Sequence, residues 1–301
     1  MMPSLRFHVC PAQPIHKVYS YNKTTYPDYP KPILVIYSDT HYLNLNNSTK
    51  ENANYIVAPF CVSLNNWRLD EGYLSWADSI IADHCKHSNY NLFFDSGDYE
   101  GVLPVMHNSI VFKTSLIDVS AKVRPIFYPV PRQTFTPLKN CIYDISFQGR
   151  LNTHEVRSNI ETALRTCQNN GLQTYFKKVQ QRQVTNDYQD NIRNSRFVLC
   201  PRGRGQSSVR FYETMSFGRL PILLADHAAL PLNNLIDYNQ FVVTVPENDI
   251  LNVNKYIESF IATHDIESSA ELAIEASNRY FSSITRFLEY ALRDSKNTEH
   301  H

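Results

Sequence analysis

The sequence predicts an α/β protein made of two domains, each built around a mostly parallel sheet. Short apolar runs that suit buried strands alternate along the chain with amphipathic or polar segments, as is typical of strand–helix–strand units. A polar segment with three prolines at residues 129–139 separates two sets of these runs. We therefore expect an amino-terminal domain over residues 1–135 and a carboxy-terminal domain over residues 136–298.

The amino-terminal domain contains apolar runs that predict strands at residues 33–37, 55–62, 92–94, 109–113 and 125–128. Between the second and third of these, apolar residues spaced near 3.6 predict a helix over residues 74–87. The opening residues 1–31 are rich in proline and tyrosine and give no such pattern.

In the carboxy-terminal domain, strands are predicted at residues 143–147, 196–200, 220–225 and 241–245, and a largely helical tail at residues 253–293. Asn152 is expected to start a helix, because Glu155 follows it at the spacing of a capping box. That helix should end at Asn170 and Gly171, since glycine adopts the left-handed conformation of a helix end without steric cost.

Residues 200–226, CPRGRGQSSVRFYETMSFGRLPILLAD, have the order of an anion-binding site: strand, basic turn, capped helix and second strand. Gly203 and Gly205 allow the backbone of the turn to approach a ligand closely. Ser207 or Ser208 can cap the following helix, whose amino-terminal N–H groups and positive end favour phosphate.

Arginines and one carboxylate surround this turn. Guanidinium groups suit paired phosphate oxygens, which makes Arg202, Arg204 and Arg210 candidate diphosphate ligands. Arg150 is a further candidate, because it follows a strand whose carboxyl end should line the ligand crevice. Glu213 can accept hydrogen bonds from ribose hydroxyls. The alternative for each side chain is a solvated surface charge. For Arg210 a weak i,i+3 ion pair with Glu213 is a further alternative.

The pattern FVLCPRG followed by SSVRFYETMSFGRLPILLAD and LIDYNQFVV, dense over residues 188–243, resembles the exostosin family of glycosyltransferases. The resemblance implies the GT-B fold, in which two Rossmann-like domains face a central cleft and the terminal helices run back to the first domain. It also implies a nucleotide-sugar donor, usually UDP-linked, and inversion of the anomeric centre. By the same resemblance Ser207, Ser208, Arg210 and Glu213 belong to the donor site, and a glycan, polysaccharide or lipid-linked oligosaccharide is the acceptor.

Charge and hydropathy narrow the classes of partner. Lysine plus arginine and aspartate plus glutamate both number 29, so no bulk charge draws the chain onto nucleic acid. No run approaches the roughly 20 apolar residues that a membrane-spanning helix needs. We expect a cytoplasmic enzyme without a transmembrane segment, in at most peripheral contact with a membrane. A location in the Golgi lumen would apply only if an amino-terminal anchor had been removed.

An inverting transfer needs one general base to deprotonate the acceptor hydroxyl. Asp98 and Asp39 follow predicted strands of the amino-terminal domain and are the leading candidates, with Asp95, Glu100 and His41 behind them. A turn cap is the alternative role for such loop carboxylates. No Asp-x-Asp motif or paired-histidine spacing suggests a metal site, so arginines and the helix end are expected to stabilise the leaving diphosphate without a metal.

Two other interpretations remain open from the residues. One is a fucosyltransferase-like enzyme of the same architecture that uses a GDP-sugar. The other is a glycan-binding relative that has no catalytic activity. Nucleotide binding distinguishes the three, because each predicts a different ligand.

Overall fold

The computed structural model describes residues 7–9, 19–21, 24–26, 55–61, 91–95, 109–128, 130, 132–180 and 186–293 of the 301-residue chain. The chain divides into two compact units. Unit 1 comprises Met1–Phe127 with Ser283–His301, and unit 2 comprises Tyr128–Ser282. The boundary predicted from the sequence, at residue 135, lies inside the segment with which unit 2 begins.

Unit 1 has β-strands at β1 (Phe7–Val9), β2 (Tyr19–Tyr21), β3 (Thr24–Tyr26), β4 (Tyr55–Cys61), β5 (Asn91–Asp95), β6 (Ser109–Lys113) and β7 (Val123–Pro125). Within the described residues, five of them form a parallel sheet in the order β1-β4-β5-β6-β7. The remaining two, β2 and β3, pair with each other as an antiparallel hairpin.

The predicted strands of unit 1 are confirmed at β4, β5 and β6. The prediction at residues 125–128 is wrong in extent, because the strand ends at Pro125. Ile126 still donates its backbone N–H to the carbonyl oxygen of Lys113 at 2.8 Å, whereas Phe127 is buried by packing beyond the end of the strand. The apolar run is therefore longer than the strand. The strand predicted at residues 33–37, the helix predicted at 74–87, and the candidate bases Asp39 and Asp98 lie outside the described residues.

Unit 2 contains the strands β8 (Tyr143–Gly149), β9 (Thr174–Lys178), β10 (Ser195–Pro201), β11 (Leu220–Leu224) and β12 (Val243–Thr244). They form one sheet in the order β12-β11-β10-β8-β9, and every neighbouring pair is parallel. The carboxyl ends of these strands therefore meet at one edge of the sheet, where α/β proteins bind their ligands. We call this the carboxyl edge.

The described α-helices are α1 (Ile160–Asn169), α2 (Asn186–Arg193), α3 (Val209–Ser216), α4 (Val253–Thr263), α5 (Ile266–Tyr280) and α6 (Ile284–Arg293). Short 3-10 helices occur at Leu138–Asn140, Glu155–Asn159, Tyr238–Gln240 and Glu247–Asn252. The helical tail is confirmed as α4, α5 and α6. The last of these belongs to unit 1, where the ring of Phe287 contacts the rings of Phe112 and Phe127.

The centre of unit 2 is formed by β10 and β11, whose side chains are almost all buried. Parallel strands covered on both faces are expected to be continuously apolar, which explains the runs RFVLC and LPILL. Phe211 and Met215, four residues apart on one face of α3, are fully buried. The two parallel sheets, one in each unit, confirm the predicted α/β class, whereas the central cleft of a GT-B enzyme stays a prediction.

The start of the first helix in unit 2 differs from the prediction. His154, not Asn152, is the N-cap of the 3-10 helix Glu155–Asn159, and its Nδ1 accepts a hydrogen bond from the Val156 backbone at 3.3 Å. The backbone of His154 is extended, which places its ring where an asparagine or serine cap would usually act. The regular helix α1 begins only after this 3-10 turn.

Arg219 fixes the start of unit 2 to its sheet. It is 1% exposed and follows Gly218 at the end of α3. Its guanidinium donates to the carbonyl oxygen of Arg193 at 2.8 Å and to the carbonyl oxygen of Thr136 at 2.7 Å. Residues around Thr136, which the sequence suggests as a linker, are therefore held by a buried cation.

We predict that Gly218→Ala lowers the free energy of unfolding by about 2–4 kcal/mol, because two costs add. The backbone φ of Gly218 is +63°, and a Cβ there would lie 2.6 Å from Cδ2 of Phe135. Gly171→Ala is the matched control: φ is +90° and nothing lies within 4 Å of its Cβ, so only the backbone cost of about 1–2 kcal/mol applies. Urea unfolding measures both, and equal losses would show that the contact with Phe135 costs nothing.

Candidate functional site

Arg157 joins two loops at the carboxyl edge. Its guanidinium donates three hydrogen bonds to backbone carbonyl oxygens: 3.1 Å to Arg150, 2.9 Å to Pro201 and 2.7 Å to Arg202. The first acceptor follows β8, and the other two end β10 or follow it. Because a guanidinium is planar and rigid, these bonds fix the spacing of the two loops. We call this set of bonds the Arg157 clamp.

The clamp lies among other positive charges. Burial, and then the positive charges of Arg210 and Arg150, lower the pKa of Arg157 to about 10. A group with that pKa is still almost fully protonated at neutral pH. The charges of Arg210 and Arg150 therefore repel that of Arg157, and a bound anion would relieve the repulsion.

Arg210 lies on α3, and it is 8% exposed. Its guanidinium carbon lies 4.5 Å from the ring centre of Phe147 and 5.5 Å from that of Tyr188, and it donates to the carbonyl oxygen of Gln148. A guanidinium next to aromatic faces is stabilised by cation–π attraction. The position of this charge is thus fixed by β8 and α2.

Gly149 provides the space for that arginine. A Cβ at this position would lie 2.8 Å from Nη2 of Arg210 and 3.1 Å from the ring of Phe147. The first distance is shorter than real Cβ contacts. The space beside Arg210 and Phe147 therefore favours glycine at position 149. Its backbone conformation does not, because its φ is not positive.

Glu213 lies on α3 three residues after Arg210 and is half-buried. The hydroxyl of Tyr188 donates to its Oε2 at 2.5 Å. Desolvation raises the pKa of the Tyr188 phenol well above its ordinary value, and the negative charge of Glu213 adds to this effect, while the positive charge of Arg210 opposes it. The phenol therefore stays protonated at neutral pH and acts as the hydrogen-bond donor.

The serine pair lies at the amino end of α3 but does not cap the helix as predicted. Ser208 is the N-cap residue, yet its side chain makes no capping hydrogen bond. The hydroxyl of Ser207 hydrogen-bonds instead with that of Tyr212, which is buried. The pair therefore has the expected place, whereas the expected side-chain contact with the helix end is absent.

The other two candidate arginines belong to the turn after β10. Arg202 is half-buried, and its Nη2 donates to the carbonyl oxygen of Arg204 at 3.2 Å. Nη1 of the same residue lies 3.8 Å from Oε1 of Glu247. The side chain of Arg204 is exposed. One arginine of the turn is thus held by a carboxylate, and the other faces solvent.

Glu247 was not predicted from the sequence. Its Oε1 accepts a hydrogen bond from the backbone N–H of Asp226 at 3.2 Å, and its own N–H donates to Oδ1 of Asp226 at 2.8 Å. Oε2 lies 3.7 Å from Nδ1 of His154. Glu247 therefore links the loops after β8, β10, β11 and β12. Its place two residues beyond a predicted strand was the available signal.

The structure brings four predicted residues to one region: Arg150, Arg202, Arg210 and Glu213. Arg204 lies on the exposed part of the same turn. Tyr188 and Arg157 complete the region. From the sequence, Arg157 is a weaker candidate than Arg150 for a phosphate or donor-sugar contact, and Tyr188 is not a candidate. Tyr188 lies inside the segment that carries the family resemblance, and that place was the available signal.

The described residues contain neither a metal-binding cluster nor a membrane-spanning helix. No group of three or more His, Cys, Asp or Glu side chains in that part of the chain could hold a metal ion. The described helices include none that is long and apolar enough to cross a bilayer. The prediction of metal independence stays a prediction.

Comparison with known proteins identifies residues 129–260 as matching the exostosin GT47 domain. The Exostosin-1 homolog of Caenorhabditis elegans is 29% identical over 161 residues, which cover 52% of this chain and 42% of that protein. The probable glucuronoxylan glucuronosyltransferase F8H of Arabidopsis thaliana is 34% identical over 77 residues, 26% of this chain and 16% of that protein. The chain therefore spans less than half the length of these relatives.

Among solved structures, a glycosyltransferase from Rickettsia africae is similar in backbone to this chain. The TM-score is 0.48 at 12% sequence identity, and the match covers 84% of this chain and 78% of that one.

We predict that Arg157→Ala lowers the free energy of unfolding by about 2–4 kcal/mol, because three carbonyl oxygens lose a charged donor. Arg165→Ala is the matched control. Arg165 is exposed and forms an i,i+4 pair with Glu161, so its loss should cost less than about 0.5 kcal/mol. Urea unfolding of both variants tests the prediction, and a loss below 1 kcal/mol for Arg157→Ala would show that water replaces the clamp.

Proposed function

We propose that this chain belongs to the exostosin family and that unit 2 binds the nucleotide-sugar donor of a glycosyltransferase reaction. The match of residues 129–260 to the exostosin GT47 domain supports this proposal. The relatives it matches include proteins named as exostosins and as probable glucuronosyltransferases. The acceptor that we propose is a glycan, a polysaccharide or a lipid-linked oligosaccharide.

One observation carries the proposal: the guanidinium groups of Arg157 and Arg210 are both fixed by backbone carbonyl oxygens of β8, β10 and the loops that follow them, at the carboxyl edge of unit 2. Arg150 and Arg210 both act on the charge of Arg157. Keeping like charges together costs free energy unless an anion lies between or beside them. A diphosphate suits this arrangement, because guanidinium groups bind paired phosphate oxygens.

Glu213 supports a nucleoside rather than a simple phosphate ester. A carboxylate only one helical turn from Arg210 would repel a phosphate, but it can accept hydrogen bonds from sugar hydroxyls. We assign it to the ribose of the donor. UDP is the nucleotide that the family resemblance suggests.

The reaction that we propose inverts the anomeric centre. A general base removes the proton of the acceptor hydroxyl, whose oxygen attacks the anomeric carbon as the bond to the diphosphate breaks. The arginines at the carboxyl edge stabilise the negative charge of the leaving diphosphate, so the proposal requires no metal. Asp98 and Asp39 remain the proposed bases, and a cytoplasmic location remains part of the proposal.

We predict that UDP or UDP-sugars raise the melting temperature of the chain, because a ligand that binds only the native state stabilises it by about 2.7 kcal/mol at one hundred times its Kd. A thermal-shift screen should include GDP-sugars, with hydrolysis of the best donor measured afterwards. A response to GDP alone would indicate a fucosyltransferase-like enzyme. No response to either at millimolar concentration would contradict the proposed donor site and favour a glycan-binding relative.

We also predict that Glu213→Ala weakens UDP binding at least tenfold, about 1.4 kcal/mol, since the ribose hydroxyls lose their acceptor. Glu275→Ala is the control, because Glu275 is exposed on α5. Isothermal titration measures both affinities. Equal UDP affinity in Glu213→Ala and wild type would remove Glu213 from the donor site.

A further inference from the structure

Tyr188 contacts both charged residues that α3 contributes to the region. Its ring faces the guanidinium of Arg210 at 5.5 Å, and its hydroxyl donates to Oε2 of Glu213 at 2.5 Å. Tyr188 itself lies on α2, a different helix. The orientation of the carboxylate is therefore set from outside the helix that carries it.

From these contacts we infer that Tyr188 is a positioning residue that makes the site prefer ribonucleotides over deoxyribonucleotides. The inference rests on the proposed function, because it concerns the nucleotide of the donor. It gives Tyr188 a role, although Tyr188 is not proposed to touch the nucleotide. It also adds a property: discrimination at the sugar hydroxyls that is stronger than Glu213 supplies without the hydrogen bond from Tyr188.

The physical reason is preorganisation. A glutamate side chain has several rotatable bonds, and fixing such a side chain costs up to about 1.5–2 kcal/mol of rotamer entropy. The hydrogen bond from Tyr188 restricts Glu213 before the nucleotide arrives, so less of that cost falls on binding. A carboxylate has about four lone-pair sites, so one bond from a phenol does not exhaust its capacity to accept.

Discrimination follows from the same bond. A mobile carboxylate can turn toward water when a ligand lacks the hydroxyl that it would accept. A fixed carboxylate keeps its orientation toward the sugar, so a deoxyribose leaves it without that partner in a half-buried place. The penalty for the missing hydroxyl is therefore larger when Glu213 is fixed.

The ring of Tyr188 has a role of its own, and the experiment must distinguish it from the role of the hydroxyl. Its face stabilises the guanidinium of Arg210, which the site needs for phosphate. Tyr188→Phe keeps the ring and removes only the hydroxyl. The variant should therefore keep its affinity for the diphosphate part of the ligand and lose selectivity for the ribose.

The test compares the affinity of wild type and Tyr188→Phe for UDP, 2′-deoxy-UDP and 3′-deoxy-UDP, with GDP and its deoxy forms in parallel. We predict that wild type prefers the ribonucleotide over at least one deoxy form by about tenfold, and that Tyr188→Phe reduces this ratio to about threefold or less. The ratio should fall because affinity for the ribonucleotide decreases, while affinity for that deoxy form rises by less than about twofold. Melting temperatures confirm that each variant is folded.

Two further variants make the result specific. Tyr256→Phe is the matched control. The hydroxyl of Tyr256 also donates to a carboxylate, Oδ2 of Asp249, at 2.6 Å, and the positive charge that acts on this carboxylate is that of Lys255. The Tyr256→Phe variant should leave the ratio unchanged. Glu213→Gln keeps the size of the side chain and removes its charge. In the double variant with Tyr188→Phe, the two effects on the ratio should not add, because both act through one carboxylate.

The outcomes separate the two proposals. A wild type that binds none of the nucleotides overturns the proposed function, and this inference with it. Nucleotide binding with a ribose preference that Tyr188→Phe leaves intact overturns the inference alone. Binding without any ribose preference in wild type overturns both the inference and the assignment of Glu213 to the ribose.

Discussion

The candidate site depends on three hydrogen bonds from one guanidinium to backbone carbonyl oxygens. Parallel strands bring the loops after β8 and β10 to the same edge, but they do not fix the distance between the loops. Arg157 fixes it, because its donors reach Arg150 in one loop and Pro201 and Arg202 at the other. The positive charge that makes these bonds strong also adds to the field that would attract an anion.

The arginines of this edge divide into two groups. The guanidinium groups of Arg157 and Arg210 are held by backbone carbonyl oxygens, and that of Arg210 also contacts aromatic rings. These two arginines therefore fix the geometry of the region and contribute positive charge to it. Arg150 and Arg204 have exposed side chains that can adjust to a ligand. Rigid cations lower the cost of organising a site, while mobile ones allow ligands of somewhat different shape.

The sequence was informative where a local pattern decides the structure. Buried parallel strands such as β6 and β11 appear as short apolar runs, and Gly218 marks the end of α3 because it takes a positive φ. Contacts that join distant segments leave no such pattern. Glu247 has partners in several loops, and an arginine that binds backbone carbonyls, such as Arg157, does not restrict the residue types it contacts. Residue type suggested a cap at Ser207 or Ser208, but the partner of each hydroxyl depends on packing against distant residues such as Tyr212.

Gly149 has a consequence for how this region can change during evolution. Its missing Cβ leaves the volume that the guanidinium of Arg210 occupies beside Phe147. A shorter side chain at position 210 would leave that volume empty. Alanine at position 149 would then no longer meet the guanidinium, and only a small shift of the Phe147 ring, at 3.1 Å from the new Cβ, would be needed. Positions 149 and 210 should therefore co-vary among related chains, although they are 61 positions apart in the sequence, roughly the length of a small domain.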